Sequence, residues 1–143
     1  MKKLGVVIAI VAASIVGFLL LTKPASAPKE KVVTEQAARL SFATIKTEAE
    51  KGSVLLLDVR TPEEYAAGYF APAKNVPVQD IQAGTMPSSD KTQAVYVYCR
   101  SGNRSHTAAQ LLRDAGFTNV TDLGGLDAVK AMGGTLTKEG GTL

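Results

Sequence analysis

A single cysteine lies between a strand-like segment and a helical one, with arginines on both sides. Residues 95–98 form an unbroken β-branched and aromatic run, typical of a buried parallel strand. Cys99 follows directly, and Arg104 opens a segment with helical spacing. Between them lie Gly102 and Asn103, the residue types that most easily adopt positive φ. We therefore expect a tight loop whose backbone N–H groups face inward and form an anion site at the helix N-terminus.

This arrangement would activate the cysteine, because only a thiolate is a nucleophile. The sulfur of Cys99 would lie in the loop with Arg100 and Arg104 beside it. Helix N-termini and cationic neighbours lower a cysteine pKa from about 8.5 to roughly 3.5–7.5. The alternative is a small core residue at a strand end, since free cysteines are often buried. A structural cysteine needs neither the arginines nor the following helix, so the pattern favours a reactive thiolate.

Five segments together resemble a single-domain rhodanese, a sulfurtransferase, over about residues 38–136. They are LLLDVRTPEEY, NVPVQDI, YCRSGNRS, LLRDAGFTNV and LGGLDAVKAMGG, in that family's order, and YCRSGNRS is the most specific. The resemblance implies that Cys99 carries a persulfide, which moves from a donor such as thiosulfate to cyanide or a thiol. It also implies an active-site loop that cradles the persulfide and consists of Arg100, Ser101, Gly102, Asn103, Arg104 and Ser105.

Charged residues at the end of a neighbouring apolar run are candidates for a supporting role. The resemblance implies that Asp58 supports the active-site loop and that Arg60 lines the pocket or pairs with Glu64. A solvated charge pair at a strand end is the alternative. His106 is the only histidine and lies two residues past Arg104. A thiolate stabilised by its loop needs no general base, so we interpret His106 as partly exposed helix surface.

Strand-like and helical segments alternate along the chain, which predicts a parallel sheet with helices on both faces. We expect an α/β, rhodanese-like fold with a central sheet of about five strands, preceded by one hydrophobic N-terminal helix. In such sheets ligands bind beyond the carboxyl ends of the strands, where Cys99 falls. We assign residues 36–136 to the rhodanese domain, 22–35 to a linker and 137–143 to a flexible tail.

Residues 1–21 are predicted to be a signal sequence or an N-terminal membrane anchor. Residues 4–21 carry no charge, and this length meets the lower limit for a membrane-spanning helix. Residues 25–27 fit a cleavage site, but Pro28 after them disfavours cleavage. The sequence favours an uncleaved anchor that exports the rest to the periplasmic side of the inner membrane. If the leader is cleaved, the protein is periplasmic.

The charge and the cysteine count limit the partners. The chain has 16 Lys+Arg and 13 Asp+Glu, and without Lys2, Lys3 and Lys23 the two signs balance. A neutral domain argues against nucleic-acid binding. A single cysteine leaves no resolving thiol for a redox carrier. We expect a monomer that uses a small anionic sulfur donor and a thiol or cyanide acceptor, with no cofactor and no metal.

Two alternatives to sulfur transfer remain open. Four residues separate Cys99 from Arg104, whereas Cys-based phosphatases generally have five, which form a wider cradle for phosphate. The shorter loop favours a bound sulfur over the oxyanion of a phosphatase or arsenate reductase. The second alternative is a non-catalytic rhodanese module that binds a partner protein. Such modules usually lose the cysteine, so Cys99, Arg100 and Gly102 argue against it.

Two positions depart from the family pattern. Tyr69 stands where histidine is common, and Val129 stands where the last helix often carries tryptophan. We expect looser packing near the pocket rim at Val129. Neither position belongs to the active-site loop, so these departures predict an altered substrate preference rather than lost activity.

Overall fold

The computed structural model of the chain describes residues 41–138 and 141–142. The predicted anchor, with its hydrophobic helix, and the predicted linker lie outside these described residues, as do residues 36–40 of the predicted domain. Within the described part of the chain, every helix is too short or too polar to cross a membrane.

A parallel sheet forms the centre of the described structure. Its strands are β1 (Val54–Asp58), β2 (Lys74–Asn75), β3 (Ala94–Tyr98) and β4 (Val120–Gly124), in the order β2-β1-β3-β4. The described residues therefore supply four strands of this sheet, where about five were predicted. The apolar runs at residues 54–58 and 95–98 lie in β1 and β3. Two further short strands, β5 (Thr137–Lys138) and β6 (Gly141–Thr142), form a separate antiparallel pair.

In the described part of the chain five helices flank the sheet, and the first two begin at side-chain caps. They are α1 (Phe42–Glu50), α2 (Pro62–Ala66), α3 (Val78–Gln82), α4 (Asn103–Asp114) and α5 (Leu126–Ala131). The Ser41 hydroxyl accepts the N–H of Thr44 at the start of α1. Thr61 and Glu64 form a capping box at the start of α2, where each side chain bonds the other residue's backbone N–H. This box fixes Glu64 at the carboxyl end of β1.

Apolar side chains fill both faces of the sheet. On one face, α3 and α4 pack over alternate residues of β1 and β3, and the buried side chains include Val78, Ile81, Ala108, Leu112 and Cys99. On the other face, α1 and α5 contribute Phe42, Ile45 and Val129, which pack with Phe70 and Tyr98. Helices on both faces of a parallel sheet confirm the predicted α/β architecture. Strand β1 is buried along its whole length, as expected for a central strand.

The structure shows close packing at Val129 itself, and the looser packing expected near the pocket rim stays a prediction. Val129 is fully buried in the core on the α1 and α5 face of the sheet. The backbone of Gly134 lies so close that an added Cβ would be 2.9 Å from Cγ1 of Val129 and 3.1 Å from the ring of Phe70. The chain therefore approaches the side chain of Val129 closely at Gly134.

The segment predicted as a flexible tail begins with an ordered contact. Thr137 and Tyr69 exchange two backbone hydrogen bonds, each 2.8 Å long. The ring of Tyr69 also stacks on that of Tyr65, with 4.3 Å between ring centroids. Tyr69 therefore has a structural role, because it holds Thr137 against the segment that follows α2.

Candidate active site

The loop after β3 places its N–H groups around the sulfur of Cys99. Tyr98 ends the strand, and Asn103 begins α4 only five residues later. Gly102 is the N-cap and has φ 101°, a left-handed conformation that a side chain would strain. Its N–H donates to Sγ of Cys99 over 3.1 Å. The predicted inward-facing loop is therefore present in the structure.

Ser105 closes the inner side of this loop. It is fully buried, and its Oγ lies 3.6 Å from Sγ of Cys99. The same oxygen lies 2.9 Å from the carbonyl oxygen of Gly102 and 3.3 Å from that of Gly124. Ser105 thus connects the nucleophile, the loop and the end of β4 through one hydroxyl.

These contacts favour the anionic form of the sulfur. Burial alone would raise the pKa of Cys99, because Cys99 is 0% exposed. Hydrogen bonds from the backbone and hydroxyl of Ser105, and from the backbone at Gly102 and Ser101, outweigh burial and lower the pKa below its usual value. A thiolate held by N–H groups is a nucleophile that needs no separate base.

A pair of glycines at the end of β4 supports the loop from outside. The N–H of Cys99 donates to the carbonyl of Gly124 over 3.0 Å, and the N–H of Leu126 donates to the carbonyl of Arg100 over 3.1 Å. A Cβ on Gly125 would lie 2.8 Å from the Arg100 carbonyl oxygen and 3.0 Å from Cα of Ser101. Only glycine fits at position 125 without displacing the loop.

Glu64 pairs with Arg104, not with Arg60 as one of the sequence predictions held. Its carboxylate accepts from both terminal nitrogens of Arg104, at 2.5 and 2.9 Å. Both side chains are about three-tenths exposed, 30% for Arg104 and 28% for Glu64. The hydrogen bond from Arg104 lowers the pKa of Glu64 to about 2, and the same bond raises the pKa of Arg104. This bidentate pair ties α2 to the first turn of α4.

Asp58 and Arg60 form a buried pair, which excludes the solvated strand-end alternative. Asp58 is 0% and Arg60 5% exposed. Nε of Arg60 lies 2.9 Å from one carboxylate oxygen, Nη2 lies 2.5 Å from the other, and Nη2 also donates to the carbonyl of Gly68. Arg60 therefore lies in the core, where its guanidinium binds Asp58 and the Gly68 carbonyl.

The link from this pair to the active-site loop runs through Tyr98, the residue before Cys99. Asp58 is the register partner of Tyr98, and the N–H of Val59 donates to the Tyr98 carbonyl over 3.0 Å. Burial raises the pKa of Tyr98, and the neighbouring Asp58 raises it further. The Tyr98 hydroxyl accepts the N–H of Phe70 over 3.1 Å. Asp58 therefore contacts the strand that carries Cys99.

The outer side of the loop is open to solvent. Arg100, Ser101 and Asn103 are exposed, so the residue that follows the buried Cys99 carries its positive charge at the surface. His106 is also exposed, with 82% of its side chain accessible, and its Nδ1 is 3.9 Å from a carboxylate oxygen of Asp122. The interpretation of His106 as helix surface is confirmed. Across residues 41–138, no cluster of His, Cys, Asp and Glu could hold a metal ion.

This geometry agrees with a match at the level of the family. A family model described as a rhodanese-like domain matches residues 41–132, which span α1 to α5. The chain belongs to the rhodanese-like domain family. The match includes the loop from Cys99 to Ser105 and the two glycines that pack against it.

Rhodanese-like relatives resemble the chain over parts of their length. Thiosulfate sulfurtransferase PspE of Escherichia coli (strain K12) is 37% identical over 73 residues, which cover 49% of this chain and 68% of PspE. Adenylyltransferase and sulfurtransferase MOCS3-1 of Zea mays is 34% identical over 111 residues, which cover 72% of this chain. The chain spans only 24% of that protein and 22% of its maize counterpart MOCS3-2.

A solved structure supports the fold. The crystal structure of the Alr3790 protein from Anabaena sp. matches with a TM-score of 0.57 and 34% sequence identity. The alignment covers 67% of this chain and 77% of the Anabaena chain. The rhodanese-like fold of the described residues is therefore shared with an experimental structure.

Three residues of the rhodanese-like site have roles that sequence reasoning missed. The bond of Glu64 to Arg104 was not predicted from the sequence. The contacts of Gly124 and Gly125 with the active-site loop were not predicted either. Two consecutive glycines at the end of a strand were the available signal, because they permit a close backbone approach.

Proposed function

We propose that this rhodanese-like domain is a sulfurtransferase that works through a persulfide on Cys99. It would move a sulfane sulfur from thiosulfate or a persulfide donor to a thiophilic acceptor, either cyanide or a thiol. The observation that carries the proposal is the N–H of Gly102, which donates to the buried Sγ of Cys99 over 3.1 Å. Such an arrangement stabilises an anionic sulfur at the point where the persulfide forms.

The reaction has two half-reactions, as in ping-pong covalent catalysis. The Cys99 thiolate attacks the outer sulfur of thiosulfate, and the sulfur–sulfur bond of the donor breaks with its electron pair on the departing sulfite. Cys99 then holds one extra sulfur. Next, the acceptor attacks that outer sulfur, and the bond to Sγ breaks with its electron pair on Cys99. The thiolate is regenerated, and no oxidant or reductant is consumed.

The two arginines of the loop, Arg100 and Arg104, would have different roles. Arg100 is exposed beside the sulfur and would attract the anionic donor. Arg104 is bound by Glu64 through two hydrogen bonds, so much of its charge is compensated. Its side chain holds the first turn of α4 in position, and its charge also acts on the Cys99 thiolate. Arg104 would therefore both position the loop and favour the anion.

The size of the loop supports sulfur over phosphate as the group transferred. The N–H of Gly102 is already within hydrogen-bonding distance of Sγ. The carbonyls of Arg100 and Gly124 are bonded to the N–H groups of Leu126 and Cys99, which restrains the loop from widening. A loop closed this tightly around one sulfur suits a single added atom better than a tetrahedral oxyanion.

A steady-state assay tests the proposal. The full chain is mixed with thiosulfate and cyanide, and thiocyanate is measured; the same chain is also offered a phosphate ester. We expect thiocyanate formation in the wild type and none in Cys99→Ser, because a hydroxyl does not carry the sulfur. Thiocyanate formed equally by both proteins would contradict the proposal, as would Cys99-dependent release of phosphate without sulfur transfer.

We also propose that the domain is exported and anchored by its N-terminal segment. The support is the uncharged run at residues 4–21 behind two lysines. In intact cells with a permeabilised outer envelope, a membrane-impermeant thiol reagent should label the only cysteine. Labelling that requires lysis would place the domain in the cytosol.

A further inference from the structure

The Ser105 hydroxyl has one proton to donate and lies close to three atoms: two carbonyl oxygens, and the sulfur of Cys99, which donates to Oγ when it is a thiol. Its Oγ lies 3.6 Å from Sγ of Cys99, 2.9 Å from the Gly102 carbonyl and 3.3 Å from the Gly124 carbonyl. Ser105 is 0% exposed, so bulk water does not compete for these contacts. A serine hydroxyl donates one hydrogen bond at a time, so it can donate to only one of these three atoms in any one orientation.

Neither carbonyl depends on this hydroxyl. The Gly102 carbonyl also accepts the N–H of His106 over 2.9 Å, and the Gly124 carbonyl accepts the N–H of Cys99 over 3.0 Å. A buried carbonyl left without a donor is costly, but here each keeps a donor when the hydroxyl turns away. The Ser105 hydroxyl is therefore free to turn toward the sulfur without leaving a buried group unpaired.

We propose that Ser105 is a catalytic residue that turns its hydroxyl to Cys99 whenever the sulfur is an anion. When Cys99 is a thiol, its S–H donates to Oγ and the hydroxyl bonds a carbonyl. When Cys99 is a thiolate, the hydroxyl donates to Sγ instead. A hydrogen bond to an ionised acceptor is roughly twice as strong as one to a neutral acceptor. The charge on Sγ therefore decides the orientation.

The kinetic consequence rests on the proposed sulfur transfer and differs between the two half-reactions. In the release step, the acceptor bonds to the outer sulfur while the bond from that sulfur to Sγ breaks. The electron pair goes to Sγ, and the hydroxyl stabilises the charge as it develops. In the loading step the thiolate is the starting state, so the hydrogen bond is already present and weakens as Sγ attacks. Ser105 accelerates release and not loading.

Single-turnover kinetics of the full-length Ser105→Ala chain test this asymmetry. Each protein is loaded with thiosulfate above its thiol pKa, separated from excess donor, and mixed with cyanide. Loss of a hydrogen bond to a charged group predicts release slowed roughly ten- to hundredfold, with loading changed by less than about threefold. Release at the wild-type rate, or equal slowing of both steps, would overturn the proposal.

Alkylation by iodoacetamide as a function of pH gives a second readout that needs no sulfur transfer. The chain has one cysteine, so the reaction reports on Cys99 alone. In Ser105→Ala the midpoint should rise by about one to two pH units, because the thiolate loses a donor. Arg100 and Arg104, the charged groups of the loop, are unchanged in this variant. An unmoved midpoint would overturn the proposal even if the wild type transferred no sulfur.

Two further variants separate the hydroxyl from general effects on α4. Thr107→Ala removes an exposed hydroxyl that bonds the Asn103 carbonyl on the same helix, and it should leave the midpoint and the release rate unchanged. Ser105→Thr keeps a hydroxyl at the buried position and should restore both. A Ser105→Thr chain with a native circular dichroism spectrum that behaves like Ser105→Ala would contradict the proposal.

Discussion

The N–H of Gly102 donates to Sγ of Cys99 over 3.1 Å, three residues back along the chain. The contact depends on φ 101° at Gly102, which turns the chain back toward the sulfur just before α4 begins. One glycine therefore brings the backbone N–H groups and the helix N-terminus to the same atom. The chemistry of the site follows from this short-range turn and from the contacts that hold it in place.

Gly125→Ala should damage the loop without touching Cys99. The added Cβ would lie 2.8 Å from the Arg100 carbonyl oxygen, so the loop must move. Displacement of a reacting group by about 1 Å costs on the order of a hundredfold in rate, and we expect a fall of that size in kcat/KM for thiosulfate. Gly134→Ala is the matched control, because its Cβ meets Val129 in the core. It should cost about 1–3 kcal/mol of stability at near-normal kcat/KM; equal kinetic losses would contradict this account.

Arg100→Ala should weaken donor binding more than chemistry. The side chain is exposed, and its charge attracts the dianionic donor in a screened environment. We expect KM for thiosulfate to rise roughly three- to tenfold with kcat little changed, and the difference to shrink as salt is added. Arg113→Ala removes the same charge from an exposed site at the end of α4 and serves as the control. Equal losses in kcat and kcat/KM would place Arg100 in the transition state instead.

Glu64→Gln should change how the free energy of unfolding depends on pH. Arg104 lowers the pKa of Glu64 from 4.5 to about 2, so the pair contributes stability above pH 4.5 and loses it as the pH falls toward 2. Glutamine removes the charge at every pH, at a cost of about 0.5–1 kcal/mol near neutrality. Thermal unfolding followed from pH 7 to pH 2 should therefore show wild type and variant converging in acid. Parallel curves would show that the pair contributes no linked stability.

Which carboxylate pairs with which arginine could not be read from the sequence. Asp58, Arg60 and Glu64 all lie near the end of β1, and Arg104 comes from a different segment. The Glu64–Arg104 pair joins residues 40 positions apart, which depends on where α2 and α4 meet. The family resemblance implied that Arg60 lines the pocket or pairs with Glu64. In the structure Arg60 instead binds Asp58, two residues away.

Local signals did predict the elements. The apolar run Val54–Asp58 forms β1, and Ser41 and Thr61 cap the helices that follow them. These predictions held because strand runs and caps depend on neighbours within a few residues. The close approach of Gly125 to the Arg100 carbonyl joins two separate strand ends. The two glycines signal that a close approach is possible, but their local pattern does not identify the segment that they contact.

Asp58→Asn should destabilise the domain strongly, since it removes one partner of a buried pair. Arg60 would keep its charge at 5% exposure with only a neutral amide and the Gly68 carbonyl as acceptors. Breaking a buried ion pair in this way costs about 3–5 kcal/mol. Urea unfolding of Asp58→Asn and of the double variant Asp58→Asn with Arg60→Met measures the effect. We expect the double variant to recover part of the loss; a single variant within about 1 kcal/mol of wild type would contradict the assignment.

The central claim is that Cys99 carries the sulfur, and the intact mass of the protein tests it most directly. The purified full chain is treated with thiosulfate, freed of excess donor, and weighed by mass spectrometry before and after cyanide. We expect the mass of one added sulfur in the wild type, its loss after cyanide, and no added mass in Cys99→Ser. The single cysteine of the chain makes the assignment unambiguous. An unchanged wild-type mass, or an added sulfur retained in Cys99→Ser, would contradict the claim.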